Sequence, residues 1–94
     1  MKLRWTRAAT RDLGSIENYI SRDNRAAALD TVVRVNRHIG LLAQYPGIGR
    51  PGRIRGTREL VISGLPYVVA YRRKGKIVTV MRILHAAMNW PKRF

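Results

Sequence analysis

Arginine is the residue that this chain places wherever recognition chemistry could occur. The stretch YPGIGRPGRIRGTREL, residues 45–60, sets Arg50, Arg53, Arg55 and Arg58 at near-alternate positions among four glycines and two prolines. A guanidinium meets a phosphate or carboxylate with two parallel N–H donors, where lysine offers only a point charge. A linker would carry serine and polar filler, and an ordinary turn needs one Gly or Pro, so a fixed, bent, cationic loop is expected here. Further along, Arg72 lies in YVVAYRR, and Arg82 interrupts the apolar run VTVMRIL. An arginine in such a run is costly unless its face is open or its charge is paired. Glu59 is the only carboxylate after position 30, and one carboxylate cannot neutralise every arginine around it. His85 closes the same run; its ordinary pKa of about 6.5 suits a general acid or base. A strand-end histidine that packs its ring on the sheet is the competing reading, and composition favours it.

The remaining chemical inventory is thin. There are two histidines, five carboxylates and no cysteine, which argues against a metal site and removes thiol chemistry. Neither a phosphate-cradling G-x-x-x-x-G-K run nor a nucleophile elbow occurs. No cofactor is expected. Charge is the strongest global signal: nineteen Lys and Arg against five Asp and Glu give a formal +14. Eight basic and four acidic residues lie in 1–48, eleven and one in 49–94. Such an excess costs self-repulsion and implies a neutralising polyanion or acidic partner. No apolar run is long enough to span a bilayer and the N-terminus has no signal-peptide core, so a cytoplasmic protein without membrane contact is expected. Ninety-four residues predict one domain, 1–94.

The elements that must position these groups follow from periodicity. KLRW, residues 2–5, reads as an early or edge strand. Thr6 is a candidate N-cap, and Ala9, Leu13, Ile16 and Ile20 mark an amphipathic helix over about 7–21. Asp23 or Asn24 caps a second helix reaching about Gln44, with Leu29, Val32, Val35, Ile39 and Leu42 expected along its buried face. After the Gly/Pro loop, TRELVI, YVVAYRR and KIVTVMRIL are separated by the turns SGLP and KGK, which predicts a three-stranded antiparallel meander. The fold class is therefore α+β, in the order β-α-α-β-β-β, with a helical hairpin on one face of a mostly antiparallel sheet. Arg82 and His85 are three residues apart, so a regular strand points them to opposite faces; convergence needs an irregularity near Leu84.

In order and spacing these segments resemble the RelE/ParE superfamily of bacterial type II toxin–antitoxin toxins. The resemblance runs from WTRAATRDLGSIENYIS and DNRAAA, through YPGIGRPGRIRGTREL, to PYVVAYR and VMRILHAAMNWP, where Arg82, Leu84 and His85 match an R-x-L-H ending. It implies the same β-α-α-β-β-β fold and a growth-inhibiting toxin held by an acidic cognate antitoxin in a hetero-oligomer. It also implies one of two mechanisms. RelE-like members cleave mRNA on the ribosome; ParE-like members poison DNA gyrase without hydrolysis.

On the RelE-like branch the protein would be a metal-independent mRNA endoribonuclease. The RNA 2′-hydroxyl attacks the adjacent phosphate while a base takes its proton and cations stabilise the added charge. His85 would be the acid–base residue, with Arg58 and Arg82 clamping the phosphate. Tyr71 and Trp90 would stack on bases, and Arg50, Arg53, Arg55 and Arg72 would hold the nucleic acid. ISGLPY lacks the arginine that RelE-like toxins carry before their G-Y-R turn, and no tyrosine stands near the C-terminus. A net charge of +14 nevertheless suits ribosomal RNA better than a protein target, and on that ground the ribosome is expected ahead of gyrase. A plain basic nucleic-acid-binding module is the third reading.

Overall fold

A computed structural model describes all residues, 1–94. The elements run β1 (Lys2–Trp5), α1 (Arg7–Ser21), α2 (Arg25–Leu41), β2 (Arg50–Pro51), β3 (Arg58–Val61), β4 (Tyr67–Lys74) and β5 (Ile77–His85). The five strands form one sheet in the order β1-β5-β4-β3-β2. All pairings are antiparallel except β1 with β5, which run parallel from Lys2 opposite Ile77 to Trp5 opposite Val80. The α+β class and the meander are as the sequence implies. The two-residue strand β2 inside the arginine loop is an addition.

Local signals start and stop these elements. The Thr6 hydroxyl accepts a hydrogen bond from the Ala9 N–H at 3.0 Å, which caps α1, and donates to the Met81 carbonyl at 2.7 Å. One side chain thus fixes the helix start and its distance from β5. Asn24, of the two candidates, caps α2 by accepting from the Ala27 N–H at 2.9 Å. The β4–β5 hairpin turns on Gly75 and Lys76. Gly75 has φ of 60° and no non-glycine residue has a positive φ, so the turn is of the type that requires glycine at its first central position.

The core lies between the helices and one face of the sheet. Ala9, Val35, Ile39, Ile62, Val69, Val80 and Ile83 are buried together, with Leu13, Ile16 and Ile20 of α1 packed against them. Leu42, Tyr71 and Val78 form a second, smaller cluster. Each large aliphatic side chain buried there contributes roughly 1.5–3 kcal/mol. The buried stripe of α2 is Ala28, Thr31, Val35 and Ile39, continued by Leu42 just past the helix end. Leu29 was expected in that stripe but is 61 % exposed, because Ala28 rather than Leu29 lies in register with Thr31 and Val35.

A bulge in β5 sets which groups share a face. Ala70 pairs with Arg82 while Tyr71 pairs with Val80, so Met81 is the extra residue. The bulge allows both Val80 and Ile83 to enter the helix-side core. Strand alternation then puts Glu59, Val68, Ala70, Arg72, Arg82 and Leu84 on the opposite, outer face. Val68, Ala70 and Leu84 are nonetheless buried, and they belong to neither helix-side cluster.

Candidate functional site

The arginine loop is built around a single carboxylate. Glu59 on β3 is almost fully buried, and its Oε1 accepts from Arg50 Nε and NH2 at 3.3 and 3.1 Å. Its Oε2 accepts the backbone N–H of Arg53 at 2.8 Å, with Arg53 Nε at 3.7 Å. Two of the four loop arginines are therefore committed to holding the loop against β3. A second tie comes from Tyr71, whose hydroxyl donates to the Pro46 carbonyl at 2.8 Å and accepts the Gly49 N–H at 2.9 Å. Burial pushes the Tyr71 phenol above its ordinary pKa, against the opposing pull of the Gly49 hydrogen bond and the Arg58 charge. Gly49 is required by close approach: a β-carbon there would lie 2.6 Å from the Tyr71 hydroxyl and 2.9 Å from the Glu59 carbonyl oxygen.

These contacts correct the expectation for Tyr71. Its ring is fully buried with Leu42 and Val78, so it anchors the loop and offers no face for base stacking. Trp90 is also engaged. The Arg53 guanidinium sits 3.8 Å from its ring centroid, and its Nε1–H donates to the His85 carbonyl at 3.1 Å. One face of the indole is thus taken by a cation that a stacking base would have to displace.

Arg82 and His85 do not converge. The only irregularity of β5 lies at Met81, upstream of both, and the pairing from Arg82–Ala70 to His85–Tyr67 is regular, which leaves them on opposite faces. Arg82 is held by Asp12 of α1: Nε donates to Oδ2 at 2.7 Å and NH2 to Oδ1 at 3.1 Å. That hydrogen-bonded pair raises the Arg82 pKa above its ordinary value, in spite of the opposing cost of burial. Asp12 also accepts the Ile83 N–H at 2.9 Å, so it caps β5 beyond the end of β1. Arg82, expected as a phosphate clamp, has its charge answered within the fold.

His85 is exposed at the end of the strand. Its ring meets Tyr67 edge-to-face with centroids 5.7 Å apart, and Nδ1 accepts the Ala87 N–H at 3.0 Å. That bond places the ring proton of the neutral form on Nε2. Arg58, the third expected catalytic residue, stands opposite Tyr71 on β3. It is two strands from β5 and four residues along β4 from the position that pairs with His85, a separation of roughly 16 Å. Arg55 and Arg72 are exposed and take part in no ion pair.

Comparison with known proteins decides the family. A family model described as the ParE toxin of type II toxin-antitoxin system, parDE, matches residues 3–90. The chain belongs to the ParE toxin family. It is 42 % identical over 91 residues to a putative toxin, Y4kP, of Sinorhizobium fredii, covering 97 % of this chain and 94 % of that one. It is 37 % identical over 83 residues to the toxin RelE2 of Caulobacter vibrioides, covering 88 % and 92 %. Among solved structures, a chain of the chromosomal ParDE toxin–antitoxin system from P. aeruginosa superposes with a TM-score of 0.81 at 32 % identity, covering 90 % of this chain and 95 % of that one. This ParE-family chain is thus a toxin of a type II toxin–antitoxin system, and its system supplies an antitoxin partner.

One structural residue escaped the sequence reading although its signal was present. Asp12 lies three residues after Ala9 and four before Ile16, on the buried side of α1. A carboxylate in that position calls for a cationic partner from the element beneath, and Arg82 supplies it.

Proposed function

We propose that this toxin arrests growth as a ParE-like poison of DNA gyrase, acting by surface contact and without hydrolytic activity of its own. The observation that carries the reading is the dispersal of the residues expected to cleave RNA. Arg82 leaves β5 on the face opposite His85 and is held by Asp12 of α1, and Arg58 lies across the sheet. Proton transfer and phosphate stabilisation must act on one reacting phosphate, so their groups must reach the same few ångströms. Here they do not. Membership of the ParE toxin family and the likeness to the ParDE structure support the same branch.

The second reading is RelE-like cleavage of mRNA on the ribosome, where a ribosomal group would complete the site. It is favoured by the net charge of +14 and by the likeness to a toxin named RelE2. Induction followed by pulse labelling separates the two. On the gyrase reading, thymidine incorporation falls first and chromosomal DNA is cleaved while messages stay intact. Early loss of amino-acid incorporation, with mRNA cut where ribosomes sit, would sink it and favour the ribosome.

The antitoxin is proposed to be acidic and to lie across the helices and the sheet edge. Support comes from the positive charge and from Leu29, Val33 and Leu41, three exposed apolar side chains along α2. An acidic protein encoded beside this chain should co-purify with it; an antitoxin without net negative charge would contradict the proposal.

A further inference from the structure

A notch opens in the sheet where β3 stops short of β4. β3 begins at Arg58 opposite Tyr71, so Arg72, Arg73 and Lys74 of β4 pair only with β5 and lack a neighbour on the β3 side. The arginine loop crosses this gap and leaves a cleft of about 290 Å³ lined by Pro51, Gly56, Thr57, Arg58 and Arg73. It contains no apolar side chain apart from the proline ring and no carboxylate.

The two arginines of the notch differ from the others in how they are held. Arg58 and Arg73 project from the same face of the sheet as diagonal neighbours on adjacent strands. Arg58 NH1 donates to the Gly49 carbonyl at 2.8 Å and Arg73 Nε to the Gly75 carbonyl at 3.1 Å. A carbonyl orients a guanidinium without cancelling its charge. The other N–H groups of both side chains have no partner in the fold, and neither residue takes part in an ion pair. The Thr57 hydroxyl is committed to the Ile54 carbonyl at 2.6 Å, which leaves recognition to the arginine pair. Glu59 is spent on Arg50 and Arg53.

The geometry points to a binding site for a backbone phosphodiester of nucleic acid in this notch, with Arg58 and Arg73 as its two forks. Two oriented, unneutralised guanidiniums converging on a polar cleft suit the doubly exposed oxygens of a phosphate. Arg72 and Lys74 project from the other face of β4, Lys76 lies in the turn, and no carboxylate lies in the hairpin. Positive charge on both faces of the hairpin beside the notch matches a polymer of repeated charge better than a single acidic side chain. The inference goes beyond the gyrase reading, because either target would present nucleic acid to the toxin. The toxin would hold the backbone of the nucleic acid on which its target is working.

The test uses the purified full chain with fluorescent duplex DNA and duplex RNA of one sequence, titrated across a range of salt. Arg73→Gln is the principal variant, since Arg73 is exposed. Arg25→Gln, an equal loss of charge at the start of α2, is the control. Arg73→Gln is expected to weaken binding roughly three- to ten-fold and to lower the slope of log Kd against log salt by about 0.9, the value for one phosphate contact. Arg73→Lys should recover part of the affinity, as a point charge replaces a fork. Equal losses on both duplexes identify the phosphodiester itself; a loss on one alone assigns the site to that helix form. If Arg73→Gln and Arg25→Gln behave alike, the binding is diffuse charge and the site does not exist. If Arg73→Gln leaves both nucleic acids unaffected but weakens the antitoxin, the notch is a carboxylate site and the proposal is overturned. Because gyrase is absent from the mixture, neither failure bears on the choice of target.

Discussion

The arginines gathered around Glu59 and Asp12 and those in the notch at the end of β3 carry the same charge, yet only the second set is chemically unspent. In the first set, Glu59 of β3 holds Arg50 and Arg53, Asp12 of α1 holds Arg82, and Trp90 stacks on Arg53. In the notch, Arg58 and Arg73 are oriented by carbonyls and keep their charge. The difference lies in where two carboxylates fall. A cation beside a buried carboxylate becomes scaffold; a cation beside a carbonyl stays available.

Removing the organising carboxylate should break the comparison most visibly. Glu59→Ala frees both loop arginines and strands the Arg53 N–H. The expected loss of unfolding free energy is about 2–3 kcal/mol, below that of a fully buried pair because both guanidiniums are about half exposed. Urea denaturation would measure it, and a loss below about 0.5 kcal/mol, the range of an ordinary surface change, would mean that the loop is held by something else.

Gly49→Ala comes next, since its β-carbon would overlap the Tyr71 hydroxyl and the Glu59 backbone; overpacking of this kind costs roughly 2 kcal/mol. The same melts would report it. Tyr71→Phe should cost about 1–2 kcal/mol at neutral pH, because the Gly49 N–H and the Pro46 carbonyl lose their shared partner. This tyrosine also predicts a pH effect. Its folded pKa is raised above 10.0, so the folded state retains the proton while the unfolded chain releases it. The corresponding stability is full below pH 10.0 and is lost as pH climbs through the folded value. Wild type should therefore lose stability more steeply above that pH than Tyr71→Phe; parallel curves would contradict the burial argument.

The smallest effect is expected at Trp90. Trp90→Leu removes the cation–π contact and the bond to the His85 carbonyl, for about 0.5–1 kcal/mol. It should leave nucleic-acid binding in the notch unchanged, which sharpens the separation of the two regions. A parallel loss of binding would merge them.

Much of this was legible in the residues, and the exceptions have physical reasons. The helices were readable because Ala9, Leu13, Ile16 and Ile20 repeat at helical spacing and Thr6 and Asn24 are good caps. Strand alternation placed β3, β4 and β5. The bulge at Met81 left no mark in the pattern, since VTVMRIL is apolar except at Thr79 and Arg82, and a mostly apolar run conceals a change of parity. Tyr71 looked like a stacking platform because strand propensity does not say which aromatic is covered by a loop. Pairing partners seventy residues apart, Asp12 and Arg82, meet only through the parallel β1–β5 crossover, which no local signal encodes. The arginine loop was correctly singled out as fixed and cationic, but half of its arginines turned out to build it.

That this toxin acts by contact and not by cutting RNA is tested most directly with purified components. Gyrase, supercoiled plasmid and ATP are incubated with the toxin, detergent is added to trap covalent complexes, and the DNA is resolved on a gel beside an mRNA-programmed translation extract given the same toxin. The expected result is plasmid broken with gyrase attached and messages intact in the extract. Intact plasmid together with mRNA cut only in the presence of ribosomes would contradict the gyrase reading and return His85 to consideration as a catalytic base.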